Sequence, residues 1–242
     1  MRRPRVYSVE PLHSGAAVEL DANAARHLLQ VLRLKSGDPV ILFDGSGRDY
    51  AAELTTAHKR GASARVGAVV TEEAPLALQA HLAIGISRGE RMDFSLQKAV
   101  ELGVSEITPL FTERSMVHLK GDRLHNRQQH WGGVVRHACE QSGRSRLPRL
   151  HQARPFTDWL SGFHGHGLLL DHRADKSLPD LPPPGNALSL LVGPEGGLCA
   201  DERRQAMRKG LQAVRLGPRV LRTETAPLAA LAAIQVLWGD FR

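Results

Sequence analysis

Aromatic residues make up only 5% of this 242-residue chain. That leaves little material for the stacking platforms that hold single-stranded RNA. Cysteine is scarcer still: Cys139 and Cys199 lie far apart and match no metal-ligand spacing, and a reducing compartment is the plain reading. The first residues, "MRRPRVYSVEPLHSG", are basic but have no apolar core of the secretory type. The longest nearly apolar run, 226–238, is too short to span a bilayer and contains Gln235. No membrane segment is expected, and the cytoplasm follows. The 12 histidines form no ligand set by spacing, "HGH" at 164–166 reads as a loop, and no metal is expected.

What is present is positive charge. The net charge is +7 and the pI about 10.0, which suits a polyanionic partner but says nothing about fold. The excess is concentrated in "SGRSRLPRLHQAR", 142–154, where Arg144, Arg146, Arg149 and Arg154 occur without an acid. Such a run is either a solvated loop or a phosphate-binding segment. Arg2, Arg3 and Arg5 add a second basic group at the start of the chain.

Two grammars divide the chain. Residues 1–72 read as β-rich: "VILFDGSGRDYAAEL", 40–54, is a hairpin with a Gly/Asp/Ser turn, and "ARVGAVVTEE", 64–73, is a further strand. Between them "DANAARHLLQVLRL", 21–34, places Leu28, Leu29 and Leu32 at helical spacing after a capping Asp21 or Asn23. A small barrel with one helix fits. After Pro75, strands alternate with helices. "RMDFSLQKAVELG", 91–103, has an apolar stripe of Met92, Leu96, Ala99 and Val100 and ends in Gly103. A helix over 125–143 is weakened by Gly132 and Gly133. The alternation predicts a mostly parallel sheet covered on both faces, over 73–242.

Two strand ends in that second region are unusual. "LSLLVGPEGGLCADE", 188–202, runs from strand into a glycine-rich turn, and "VRLGPRVLRTETAPLAAL", 214–231, repeats the pattern. Ligands of open α/β sheets bind beyond the carboxyl ends of strands. Glycine lets the backbone approach a ligand closely. "GPEGG" is compatible with a structural turn, a phosphate cradle, or an adenosine site held by main-chain groups. It lacks the ending of a P-loop and the spacing of a dinucleotide fingerprint. "CADE", 199–202, has the layout of a capping box with cysteine in the serine position. Thr223 or Thr225 is the candidate cap of the final helix, and Arg222 and Glu224 can form an ion pair tying loop to helix.

"LVGPEGG" followed by "LGPRVLRTETA" resembles the SPOUT class of S-adenosylmethionine-dependent RNA methyltransferases, more narrowly the bacterial family that methylates N3 of a uridine in 16S ribosomal RNA. "HLLQVLRLKSGDPVILFDGSGRDY", "RMDFSLQKAVELGVSEITPLFTERS" and "ACEQSGRSRLP" extend the similarity over nearly the whole chain. Phe94 and Cys199 depart from that family's common tryptophan and serine. The resemblance implies a PUA-like β-barrel that binds RNA, 1–72, and an α/β trefoil-knot methyltransferase domain, 73–242. It implies a homodimer, with the knot helices packed across the two-fold, and a donor site at Leu191, Gly193, Glu195, Gly196, Gly197, Leu216, Gly217, Leu221, Arg222 and Thr223.

Uridine N3 is a poor nucleophile while protonated, so its proton must leave or the resulting anion must be stabilised. Arginine is permanently charged and suits the second task. Arg222 is the candidate catalytic residue, with Glu224 to orient it or accept the proton; Glu101 and Glu140 are alternatives. Arg2, Arg3, Arg5, Arg144, Arg146, Arg149 and Arg154 are the candidate RNA contacts. Two other functions fit the same residues: methylation of another RNA position, and an inactive RNA-binding module.

Overall fold

The computed structural model describes residues 3–58, 61–117 and 119–241, so Arg2 lies outside it. The chain forms two compact units. One comprises residues through Pro75 together with Arg136–Leu147; the other comprises Leu76–Val135 and Pro148–Arg242.

In the first unit, strands β1 (Arg5–Tyr7), β2 (Ala17–Leu20), β3 (Pro39–Phe43), β4 (Arg48–His58) and β5 (Gly61–Glu72) pair in the order β1-β3-β4-β5-β2. The β3–β4 hairpin is the one read from sequence. Register shifts at Asp49, Tyr50 and Leu54 bend the long strands. Among the described residues no pairing joins β1 to β2, so the barrel expected from sequence is an open, curved sheet. Helix α1 (Ala22–Arg26) buries Ala24 and Ala25 with Leu28, Val18, Val40 and Leu54 in the core.

Arg146 and its neighbours join this unit for a physical reason. The Arg5 guanidinium is buried, with 8% of its side chain exposed, and pairs with Asp49 at 2.7 Å. It also donates to the Cys139 carbonyl at 2.9 Å and to the Ser145 hydroxyl at 3.1 Å. Glu73 accepts from the Arg146 amide at 2.7 Å, and its carbonyl takes two bonds from the Arg146 guanidinium. Arg144 is buried within 3.8 Å of Glu73. Read from sequence, Arg5, Arg144 and Arg146 are candidate phosphate contacts; in the structure the charges of Arg5 and Arg144 are paired inside the protein, while Arg146 is half-buried and tied to carbonyl oxygens. A buried guanidinium stripped of its partner is too costly to be lent to a ligand.

In the second unit, β6 (Gln79–Gly85), β7 (Glu106–Phe111), β8 (Arg149–Leu150), β10 (Gly167–Leu170), β11 (Ala187–Val192) and β12 (Gln212–Val214) are parallel throughout, in the order β12-β10-β11-β6-β7-β8. A short β9 (Arg154–Pro155) also pairs with β7. Helix α2 (Gly89–Glu101) buries the predicted stripe plus Ser95, and Gly103 takes a positive φ of 81° behind it. Helix α3 (Gly121–Ser142) runs unbroken through Gly132 and Gly133. Burial of Trp131, Val135, Ala138 and Cys139 outweighs the weak propensity. Helix α4 (Phe156–Ser161) packs Trp159 and Leu160 on the sheet. Helix α5 (Ala200–Arg208) has the capping box with Cys199: Glu202 N–H donates to its sulfur at 3.4 Å and Cys199 N–H to the Glu202 carboxylate at 2.9 Å. Helix α6 (Thr225–Trp238) is capped by Glu224, not by Thr223 or Thr225, and no side chain closes that end. Its Gln235 is buried and donates to the Leu102 carbonyl at 3.1 Å, satisfying the end of α2.

The sheet also brings His81, Glu106 and His151 together, a set with metal-ligating atoms that spacing did not reveal. His81 and Glu106 are register partners on adjacent strands. Within the structure each group already has a partner: His151 bonds Glu106 at 2.5 Å and His81 bonds Thr108 at 2.8 Å. Burial pushes the His81 pKa down to about 4; Glu106 opposes the shift, and His151 and Arg154 add to it. Folded His81 therefore binds a proton less readily than unfolded His81, whose pKa is 6.5. Its contribution, about 3 kcal/mol, is complete above the unfolded pKa and is lost as pH falls toward the folded one. Urea midpoints at roughly pH 7.5 and 4.5 should fall less between the two conditions for His81→Asn than for the wild type. Parallel losses would place the acid sensitivity elsewhere.

Candidate active site

Three neighbouring strands end at one level. Leu170 of β10 is in register with Val214 of β12, and Leu169 with Leu191 of β11. Beyond their carboxyl ends lies a cavity of about 580 Å³, within the usual range of small-molecule and cofactor sites. Its floor is aliphatic and main-chain, with Val192, Leu198, Val214, Leu216 and Leu221 and the turn Gly193–Gly197, and charged side chains including Arg91, Arg215, Arg219, Arg222 and Glu224 complete the lining.

The first glycine turn is shaped by backbone crowding. A Cβ on Gly193 would lie 2.7 Å from the Leu198 nitrogen and 2.9 Å from the Gly197 carbonyl carbon. Gly197 has φ +67°, a region that only glycine enters freely. Gly196 has no such need; its Cβ would meet the Arg114 side chain. Glu195 clamps the turn to the start of α2, accepting from the Arg88 amide at 3.0 Å and the Arg91 guanidinium at 3.4 Å. Burial works against its charge, but the Arg88 amide, its own amide and Arg91 together prevail and hold its carboxyl below the ordinary range. Arg114 donates to the Gly196 carbonyl at 3.1 Å.

The second loop is tied to the first. The Thr223 hydroxyl donates to the Gly193 carbonyl at 3.1 Å. Arg222 lines the cavity and is exposed. Among the described residues its guanidinium makes no ion pair, so the Arg222–Glu224 pair allowed by the sequence is not formed. Glu224 also lines the cavity.

Of the sequence-selected donor residues, Gly193, Glu195, Gly196, Gly197, Leu216, Leu221, Arg222 and Thr223 line this space. Leu191 does not: it is fully buried in the core beneath. Gly217, with φ +75°, turns the second loop without lining the cavity. Glu101 pairs with Lys98 on α2, and Glu140 accepts from the Tyr7 amide in the first unit; neither lines the cavity. The lining includes Asp171 and His172, which sequence reasoning missed. "GLLLDH" is visibly a strand ending in polar residues, but only the strand order places β10 between the two glycine loops.

Comparison with known proteins meets this geometry. The model of an RNA methyltransferase domain matches residues 73–235. The chain belongs to the RNA methyltransferase family. An RNA methyltransferase PUA domain matches residues 20–67, which lie in the first unit. Ribosomal RNA small subunit methyltransferase E of Buchnera aphidicola (subsp. Schizaphis graminum) is 31% identical, covering 99% of this chain and 98% of the relative. The crystal structure of such an enzyme from Neisseria gonorrhoeae bound to S-adenosyl methionine is 42% identical, with a TM-score of 0.91 and full coverage of both chains. A Legionella pneumophila protein in complex with the bound cofactor SAM is 34% identical, with a TM-score of 0.95, again over both whole chains. This family member thus shares its whole length with relatives solved with the methyl donor in place.

Proposed function

We propose that this protein transfers a methyl group from S-adenosylmethionine to N3 of a uridine in 16S ribosomal RNA of the small subunit. The cavity at the three strand ends carries this reading. Its size, and the backbone and aliphatic side chains that form part of its lining, fit an adenosine-bearing ligand. Gly193, Gly197, Leu216 and Leu221 would hold that ligand, which supplies an electrophilic methyl group when bound. Arg222, whose guanidinium forms no ion pair among the described residues and which lies at the cavity wall, would stabilise negative charge on the uracil carbonyls as N3 loses its proton. Glu224 is the carboxylate on the same wall and the candidate acceptor of that proton. Thr223 holds the two loops together through Gly193, so that donor and base meet in line.

In this reading the two loops belong to a trefoil knot. The path of the chain supports it: after β11 it builds α5 and β12 on the far side of β10, then returns to pack α6 against α2 and β11. A homodimer is part of the same reading. α6 buries Ala230, Leu231 and Ile234 within its own unit, yet leaves Val236 58% and Leu237 38% exposed. An apolar face of that kind favours a partner surface. Sedimentation at low micromolar concentration should show a dimer, and a clean monomer would remove that part of the proposal.

The reaction is tested with labelled donor and small ribosomal subunits from a strain lacking the modification, identifying the product nucleoside by mass spectrometry. 3-Methyluridine is expected. A different methylated nucleoside would retain the enzyme class and discard the position. Donor binding without transfer would indicate an inactive RNA-binding module.

A further inference from the structure

Between Asp21 and Asp38 the chain carries Arg26, Arg33 and Lys35 and no acidic side chain. The segment begins as an amphipathic helix. Asp21 caps α1 by accepting from the Asn23 and Ala24 amides, and Ala24, Ala25 and Leu28 enter the core. Continued helical spacing would bring Leu32 onto the Leu28 face, as the sequence pattern predicts. Instead, His27–Val31 widen into a π turn, a feature that recurs at functional sites. Leu29 and Leu34 pack on the core in its place. Val31 and Leu32 are turned out, 65% and 39% exposed.

Arg33 follows with φ +57°, the sole non-glycine residue with positive φ among the described residues. Left-handed backbone is unfavourable for any side chain with a Cβ, and glycine would sit there freely. An arginine kept in strained backbone beside two exposed apolar residues points to use of its side chain. Among the described residues, Arg26 and Arg33 form no ion pair. The surface continues within the same unit: the His27 ring lies 6.5 Å from His137, and the Arg136 guanidinium 5.9 Å from the Tyr7 ring centre.

We infer that the turn Gln30–Lys35 is an RNA-docking element of the first unit, with Arg26, Arg33 and Lys35 meeting phosphates and Val31 and Leu32 lying against an unpaired base. This rests on the rRNA methyltransferase reading. Positive charge without acids fits a polyanion. A second copy of the chain meeting this turn about a two-fold would instead oppose like charges. Aliphatic side chains pressed against or between bases are a known mode of contact, and suit a chain poor in aromatics.

The test is binding to small ribosomal subunits from a strain lacking the modification, measured over a range of salt. Arg33→Gly removes the side chain and the strain together. It should weaken binding about tenfold and lower the salt slope by about one, while the melting temperature stays level or rises. Arg33→Lys should recover most of the affinity. Val31→Ser with Leu32→Ser should weaken binding about tenfold with the slope unchanged, since no ion contact is lost. Wild-type affinity and slope in Arg33→Gly and in the double variant, with the wild type binding and methylating normally, would overturn this inference and leave the proposed function standing. Failure of the wild type to bind subunits would overturn both. A dimer that dissociates in the double variant at unchanged RNA affinity would assign the turn to a second copy and also overturn it.

Discussion

Arg222→Ala is expected to slow single-turnover methyl transfer about a hundredfold at saturating donor, the scale of losing one oriented charge-stabilising group. Donor affinity should change little, because the interaction forms mainly in the transition state. The structure makes this a sharp expectation. Arg222 is exposed at the cavity and, among the described residues, bonds no acid, so its removal breaks no internal ion pair. Arg222→Lys should recover only part of the rate, since lysine keeps the charge but loses the planar fork. A normal rate with weakened donor binding would assign Arg222 to donor binding or loop structure.

Gly193→Ala should abolish the stabilisation conferred by the donor. One added carbon would sit 2.7 Å from the Leu198 nitrogen, and main chain cannot rotate away as a side chain can. Opening the turn costs about 1–3 kcal/mol by overpacking and displaces the backbone groups that face the cavity. In the wild type, donor at about 100 times its dissociation constant should add about 2.7 kcal/mol of apparent stability. Thermal melts with and without S-adenosylmethionine measure both effects. Gly196→Ala is the matched control. Its Cβ would lie 3.0 Å from the Arg114 Cβ, a looser contact than the 2.7 Å at Gly193 that a shift of a few tenths of an ångström relieves, so more of the ligand response should survive. A wild-type ligand response in Gly193→Ala would show that the packing of this turn does not govern the donor site.

The amino-acid sequence by itself determined what depends on neighbours in the chain. The alternation of strands and helices after Pro75, the α2 stripe, the β3–β4 hairpin, the cysteine capping box and the two glycine-rich strand ends all follow from spacing and turn chemistry. Each involves residues within a few positions of one another. What the tertiary structure decided depends on lateral order, which no local pattern encodes. Strand order set β10 between the two loops and brought Asp171 and His172 to the cavity; it also put His81 beside Glu106. Long-range burial turned Arg5 and Arg144 from apparent phosphate contacts into internal ties to Asp49, Ser145 and Glu73. Packing carried α3 through two glycines. A single π turn shifted the helical phase, so that Leu32, apolar and correctly spaced for the core, stands in solvent. Periodicity specifies which residues can share a face. Which faces are covered is fixed only when distant segments compete for the same core.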